Sequence, residues 1–222
     1  MIEYKLVRSK RRKLCVSVAN GEVTVKAPIG TGTAEIEQFL ADKGMWISKK
    51  LVEQKRRNDY LRDVIDCKAV LYHGKFCSVL ISDEHKRTAF DGETLFVPRK
   101  YADKQSLEKA IASWAKRAAK TELKTALDNL SARTSLKYAE FSLTNARTKW
   151  GSCDASGNIM LNWRLIMLEN PLVVYVIVHE LAHTVHHNHG KMFWARVEKH
   201  LPDYKAMRKR LKDFSVLTTL YR

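Results

Sequence analysis

No apolar run in this chain is long enough to cross a bilayer; the longest, Leu172 to Val178, stops at His179. The basic start, MIEYKLVRSKRRK, has no apolar stretch behind it, so it does not read as a secretory signal. Cys15, Cys67, Cys77 and Cys153 lie far apart without a C-x-x-C pair, which argues against a disulfide framework and a thiolate zinc site. A reducing cytoplasm is the expected setting. There is no internal repeat and no low-complexity linker. Acidic residues are also short: 24 against 40 Lys and Arg, a formal charge of +16. The excess gathers at Lys10 to Lys13, at Lys49–Lys50 with Lys55–Arg57, and at Lys205, Arg208, Lys209, Arg210 and Lys212. Such an excess either serves a solvated surface or attracts an anionic partner: nucleotide, nucleic acid or an acidic membrane surface.

What the chain does have is patterned. Residues 2–27 read as strands, with a hairpin turn at Asn20-Gly21. A helix capped by Thr33 runs to about Arg57, with Ile36, Phe39, Leu40, Ile47 and Leu51 as its apolar stripe. Short strands follow near 69–72, 76–81, 86–90 and 93–97, with turns at His73-Gly74 and Asp91-Gly92. A helix spans about Asp103 to Leu130, then come a strand near 138–145, a turn-rich WGSCDASGN and a strand at 159–163. Asn170-Pro171 opens the next helix, Asn as cap and Pro at the first helical position. A last helical section from Lys191 to Phe214 breaks at Pro202. The expected architecture is α+β, a β-rich part over 1–100 with one helix and an α+β part over 101–222 that holds the chemistry.

Five of eight histidines fall in HELAHTVHHNHG, residues 179–190. On a helix, His179 and His183 project from one face a turn apart, so both rings can grip one ion. Glu180 can reach a water on that ion without ligating it. This is the H-E-x-x-H arrangement of zinc hydrolases, and PLVVYVIV before it, apolar almost all round, implies a buried and rigid helix. Unpartnered imidazoles on such a helix would cost free energy. A catalytic zinc has three protein ligands, and His186, His187, His189 and Glu198 are the candidates for the third. If the helix continues, His186 lies about 10 Å along the axis from His179 and falls short, and His187 shares that difficulty. Asn188 suits a left-handed helix end, and a reversal there returns His189 to the metal. His189 is therefore the favoured ligand, in the H-E-x-x-H-x5-H spacing of three-histidine zinc proteases. Those carry Gly where His186 stands here, so the turn must differ. Glu198 would serve a two-His-plus-Glu site.

With these residues placed, the chain resembles the YgjP-like family of predicted metal-dependent hydrolases, grouped with zinc metallopeptidases. The resemblance rests on SKRRKLCVSV, GEVTVKAP, MWISKKL and the Gly74 turn. More specific are R-x-K-W-G-S-C (147–153), G-N-I-M-L-N-W-R-L (157–165), and Y-V-I-V-H-E-L-A-H followed by N-H-x-x-x-F-W; Pro202 and Tyr204 fit the ending. It implies a zincin-like catalytic part with the H-E-x-x-H helix, zinc held by His179, His183 and His189, and Glu180 as catalytic residue. Gly190 departs from the usual Ser and His73 from a common Leu. Members of this family have been linked to hydrolysis of UTP to a monophosphate and pyrophosphate, so the resemblance implies either a peptide or a nucleoside triphosphate as substrate.

The high positive charge suits a triphosphate, and Arg147 is the first choice for a phosphate contact. Asn162 is a candidate orienting residue. Trp150 reads as core more readily than as a base-stacking surface, and Cys153 as a small packed residue rather than a nucleophile. The expected reaction is hydrolysis by a zinc-activated water, with Glu180 accepting its proton. A peptide could lie along the strand near 159–163. The reading from another class is a nucleic-acid-binding protein with structural zinc, in which Glu180 would have no use.

Overall fold

The computed structural model describes residues 2–19 and 21–221, with backbone alone at 57 and 58. The chain is α+β and divides into two compact units, one ending at Arg62 and one beginning at Asp63. No helix among the described residues is long and apolar enough to cross a membrane.

In the first unit, β1 (Lys5–Ser9), β2 (Cys15–Ala19) and β3 (Glu22–Pro28) form a sheet in the order β1-β3-β2. Period-two alternation on β3 buries Val23, Val25 and Ala27, and the β2–β3 hairpin turns at Gly21, whose φ is +79°. Asn20, the other half of the expected turn, lies outside the described residues. Ile36 and Leu40 of α1 (Thr33–Asp42) and Ile47 of α2 (Gly44–Tyr60) complete this core. The single helix expected from Thr33 to Arg57 is thus two, because Lys43 caps α1 by donating to Phe39 and Ala41 and Gly44 starts afresh. Gly32, not Thr33, is the cap of α1. Gln54 on α2 fastens the hairpin, accepting from Gly21 N at 2.8 Å and donating to Val18 O at 2.7 Å.

After the short α3 (Arg62–Ile65), the second unit opens with β4 (Ala69–Tyr72), β5 (Lys75–Ser82), β6 (Ala89–Phe90) and β7 (Thr94–Pro98), ordered β4-β5-β7-β6. His73 and Gly74 both take positive φ in the β4–β5 turn. Asp91 Oδ1 accepts from the amides of Glu93 and Thr94 in the β6–β7 turn. The division expected near residue 100 falls between β7 and the next helix, inside this unit. Long-range bonds bind the sheet to later segments: His73 N donates to Ile166 O at 2.7 Å, and Tyr72 OH to Glu122 at 2.6 Å.

Helix α4 (Lys104–Thr134) is capped by Asp103 and buries Ile111, Ala115, Ala119, Leu123, Leu127 and Leu130, spacings of three and four that define one face. β8 (Phe141–Thr144), β9 (Gly151–Cys153) and β10 (Ile159–Asn162) form a second sheet in the order β8-β10-β9. Helix α5 (Asn170–His183) follows, with Glu169 rather than Asn170 at the cap and Pro171 in the first turn. It is buried on nearly every face, as its apolar run demands. Helices α6 (Lys191–His200) and α7 (Tyr204–Leu211) flank the break at Pro202, and a 3-10 segment (Lys212–Thr219) ends the fold.

Candidate active site

Helix α5 lies in the core of the second unit, with Ile177, Val178, Leu181 and Ala182 no more than 1% exposed. Its i, i+4 spacing sends His179 and His183 out on one side. The helix ends at His183 instead of running on to Asn188. His183 Nδ1 meets the His186 carbonyl at 3.0 Å, and Thr184 Oγ1 donates back to Leu181 O at 2.8 Å. Asn188 is not among the residues of positive φ, so the left-handed end expected there does not form. The chain instead turns over 184–190, and Gly190 caps α6 in an extended conformation.

That turn brings His189 back. Its Nε2 lies 3.2 Å from His183 Nε2 and 3.0 Å from His179 Nε2, and the three ligand atoms are all within 4.8 Å of one another. A tetrahedral ion with bonds of 2.0–2.1 Å separates its ligand nitrogens by about 3.3 Å, so the set fits one divalent ion. The donation from His183 Nδ1 to His186 O leaves Nε2 with its lone pair inward, the ligating tautomer. Burial, then His183, His189 and Arg208, pushes His179 down to about 3; burial also lowers His183. Both rings are thereby held neutral, as metal ligands must be. The remaining candidates stand apart from this cluster. His187 is exposed, Glu198 pairs with Lys205 at 3.4 Å, and His186 contributes its carbonyl rather than its ring.

Phe193 on α6 is fully buried beneath all three rings, with centroid distances of 4.9, 4.4 and 4.7 Å to His179, His183 and His189. Trp194 stacks on His189 at 5.6 Å and on Tyr204 at 5.2 Å, with the Arg208 guanidinium 4.7 Å over its ring. Sequence reasoning placed Phe193 and Trp194 only in a family motif and Arg208 only in a basic cluster. Their sole local signal was the H-x-x-x-F-W spacing from His189.

Glu180, 5% exposed, meets the backbone of β9. A Cβ at Gly151 would come within 2.7 Å of Glu180 Cγ and Oε1, so only glycine leaves room for the carboxylate. Burial raises Glu180 to about 7, opposed by the positive charge of Lys149. The stretch expected to be a turn alone therefore contains β9, and Gly151 was missed because three residues among Gly, Ser and Asp carry no strand signal. Cys153 is half-buried, and burial, Glu180 and Asp154 push its thiol up to about 11, which disfavours a nucleophilic thiolate.

Asn162 is fully buried, and its amide braces the neighbouring loop. It donates to Ala146 O at 2.8 Å and Lys149 O at 3.2 Å and accepts from Arg164 N at 3.1 Å. The group it orients is thus the 146–149 segment. Arg147 is exposed on that segment, which is fixed from the far side by Thr218 Oγ1 donating to the Arg147 carbonyl at 2.6 Å.

Among solved structures, the chain is similar to the metallopeptidase zymogen of Pyrococcus abyssi abylysin, at 22% identity over 40% of this chain and 90% of that one, with a TM-score of 0.37. The zymogen of Methanocaldococcus jannaschii jannalysin is similar at 16% identity over 41% and 95%, also with a TM-score of 0.37. No match is found among curated proteins. The family model for the YgjP-like metallopeptidase domain matches residues 12–214, nearly the whole chain. The chain belongs to the YgjP-like metallopeptidase family.

Proposed function

We propose that this protein is a zinc-dependent hydrolase of peptide bonds. The observation that carries the reading is the convergence of three ring nitrogens beside a buried carboxylate. His179, His183 and His189 would hold the ion, and zinc is the metal that three imidazoles suit with a position left for water. When bound, the ion supplies Lewis acidity to that water and to the oxygen of the attacked bond. Glu180 takes the water's proton and returns it to the leaving nitrogen. Gly151 fixes where that carboxylate can stand.

Strand topology supports an extended peptide, though not along the strand first expected. β10 (Ile159–Asn162) is paired on both sides, to β8 and β9, so its backbone has no open edge. β9 is paired only to β10 among the described residues, and Gly151 on it touches Glu180. A substrate segment added at the outer edge of β9 would run past the catalytic carboxylate.

One observation favours a second reading, a nucleotide pyrophosphatase. Lys149 lies close enough to Glu180 to act on its charge, and exposed Arg147 shares its loop, so a triphosphate entering there would meet two cations. A structural zinc in a nucleic-acid-binding protein fits less well, because it gives the buried Glu180 no role. The four free cysteines suit the cytoplasmic setting we propose.

The test incubates zinc-loaded wild type and Glu180→Gln with unfolded protein and with each nucleoside triphosphate. Wild type should consume protein, while Glu180→Gln keeps zinc and loses about 10²- to 10⁴-fold in turnover. Consumption of UTP alone would move the assignment to the second reading. Equal activity in both forms would sink both.

A further inference from the structure

A concavity lies on the second unit, built from segments that supply nothing to the histidine cluster. Lys86, Arg87 and Thr88 before β6, Lys100 and Tyr101 after β7, and Lys109, Ser113 and Arg117 on α4 line a groove of about 800 Å³. Five of its lining residues are cations and none is a carboxylate. All five are exposed, and none forms an ion pair among the described residues.

Glu84, exposed two residues before Lys86, offsets part of this field, but the other nearby acids are engaged elsewhere. Asp83, on the loop leading to Lys86, is held by Arg99 at 2.5 and 2.7 Å. Glu108 precedes Lys109 in sequence but acts on the buried Cys67 and Tyr221. Five like charges around one concavity repel one another, and exposed lysines contribute no core packing that would require them there. A bound polyanion offsets the repulsion.

The spacing selects among polyanions. Lys109, Ser113 and Arg117 are at i, i+4 and i+8, one face of α4 over about 12 Å. A duplex strand passes a phosphate about every 3.4 Å of its axis, so such a face meets roughly three. A single small anion would engage one end only. Thr88 and Ser113 add hydroxyls of the kind that donate to phosphate oxygens, and Arg117 donates to Ser113 Oγ at 2.8 Å, leaving the Ser113 proton to point elsewhere. We infer that this groove binds the phosphate backbone of nucleic acid without reading its bases. The inference does not depend on the hydrolase reading.

The test uses the full chain and fluorescence anisotropy of a labelled oligonucleotide of about 20 nucleotides, single-stranded or duplex, across a salt series. Five phosphate contacts give a slope of log affinity on log salt of about −3.5 for the single strand or −4.5 for the duplex. One variant combines Lys86→Glu, Arg87→Glu, Lys109→Glu and Arg117→Glu. A control with the same charge change carries Lys10→Glu, Arg12→Glu, Lys13→Glu and Lys49→Glu, all exposed in the first unit. The groove variant should lose at least about 100-fold in affinity and flatten the slope by about 3, whereas the control stays within about fivefold. Equal losses in both variants would overturn the inference, because net charge alone would then explain binding. It fails equally if wild type does not bind, or if polyglutamate competes as well as nucleic acid, which would make the partner an acidic protein. Unchanged thermal unfolding of both variants verifies that the affinities compare folded proteins.

Discussion

Two of the three candidate ligand rings stand on a buried helix, and the third hangs from an exposed turn. His179 and His183 inherit their positions from α5, whose neighbours Ile177, Leu181 and Ala182 are fully buried. Their separation follows from helix geometry and needs no metal. His189 is exposed and owes its place to Phe193 beneath it, Trp194 beside it and the turn over 184–190 that carries it. The helical half is therefore preorganised by the core, while the turn half is completed by local ring contacts and by whatever ion the three nitrogens share. A ligand on a rigid element costs little to order at binding; one on a turn must repay that cost from the bond it forms.

Substituting one ring from each half tests that contrast and carries the largest expected effect. His179→Ala and His189→Ala each leave two protein ligands and should both abolish stoichiometric zinc, measured on protein purified without chelators. They should differ in the metal-free state. His179→Ala removes a ring packed on Phe193 and near Tyr175, at a cost of about 1 to 2 kcal/mol in urea unfolding. His189→Ala should change the apo protein by less than about 0.5 kcal/mol. Equal apo destabilisation would mean the turn is as firmly built as the helix, and retained zinc in His189→Ala would remove it from the ligand set.

The same contrast explains what the sequence made legible. His179 and His183 could be read as a pair because a helix turns an interval of four into a shared face. Pro171 and the apolar run before His179 announced that helix unambiguously. His189 could be preferred among four candidates, but for a reason only half right. The chain does reverse before it, yet through a helix end at His183 rather than a left-handed Asn188. At that end the His186 carbonyl meets a histidine ring, a contact that no residue preference encodes. β9 escaped notice because its three residues are held in extended form by pairing to β10, not by their own propensity. Asn162 illustrates the same limit: an amide in a motif can serve a substrate or a loop, and only its complete burial and its two bonds to Ala146 O and Lys149 O show that it braces the loop.

Gly151 extends the comparison to a third support, the sheet, and carries the next largest effect. An added methyl must displace either the Glu180 carboxylate or the β9 backbone, and the carboxylate is the softer of the two. Gly151→Ala should therefore keep zinc and lower turnover by about 100-fold, since displacing a reacting group by about 1 Å costs that much. Restored activity at higher substrate concentration would show that β9, rather than Glu180, had moved.

Trp194→Ala probes the turn half most gently. The ring stacks on His189 at 5.6 Å and meets His179 only at a tilt, at 5.8 Å. Its loss should free the His189 ring while leaving His179 and His183 in place. Groups that orient a metal ligand are worth about 10- to 100-fold in affinity, and a stacking partner on an exposed ring belongs at the lower end, near 10-fold. Competition with a chelator measures this directly. Trp194→Phe, which retains an aromatic face, should recover most of it. If Trp194→Ala instead lost as much affinity as His189→Ala, the turn would have no order of its own, and the ring at 194 would be what makes it a ligand arm.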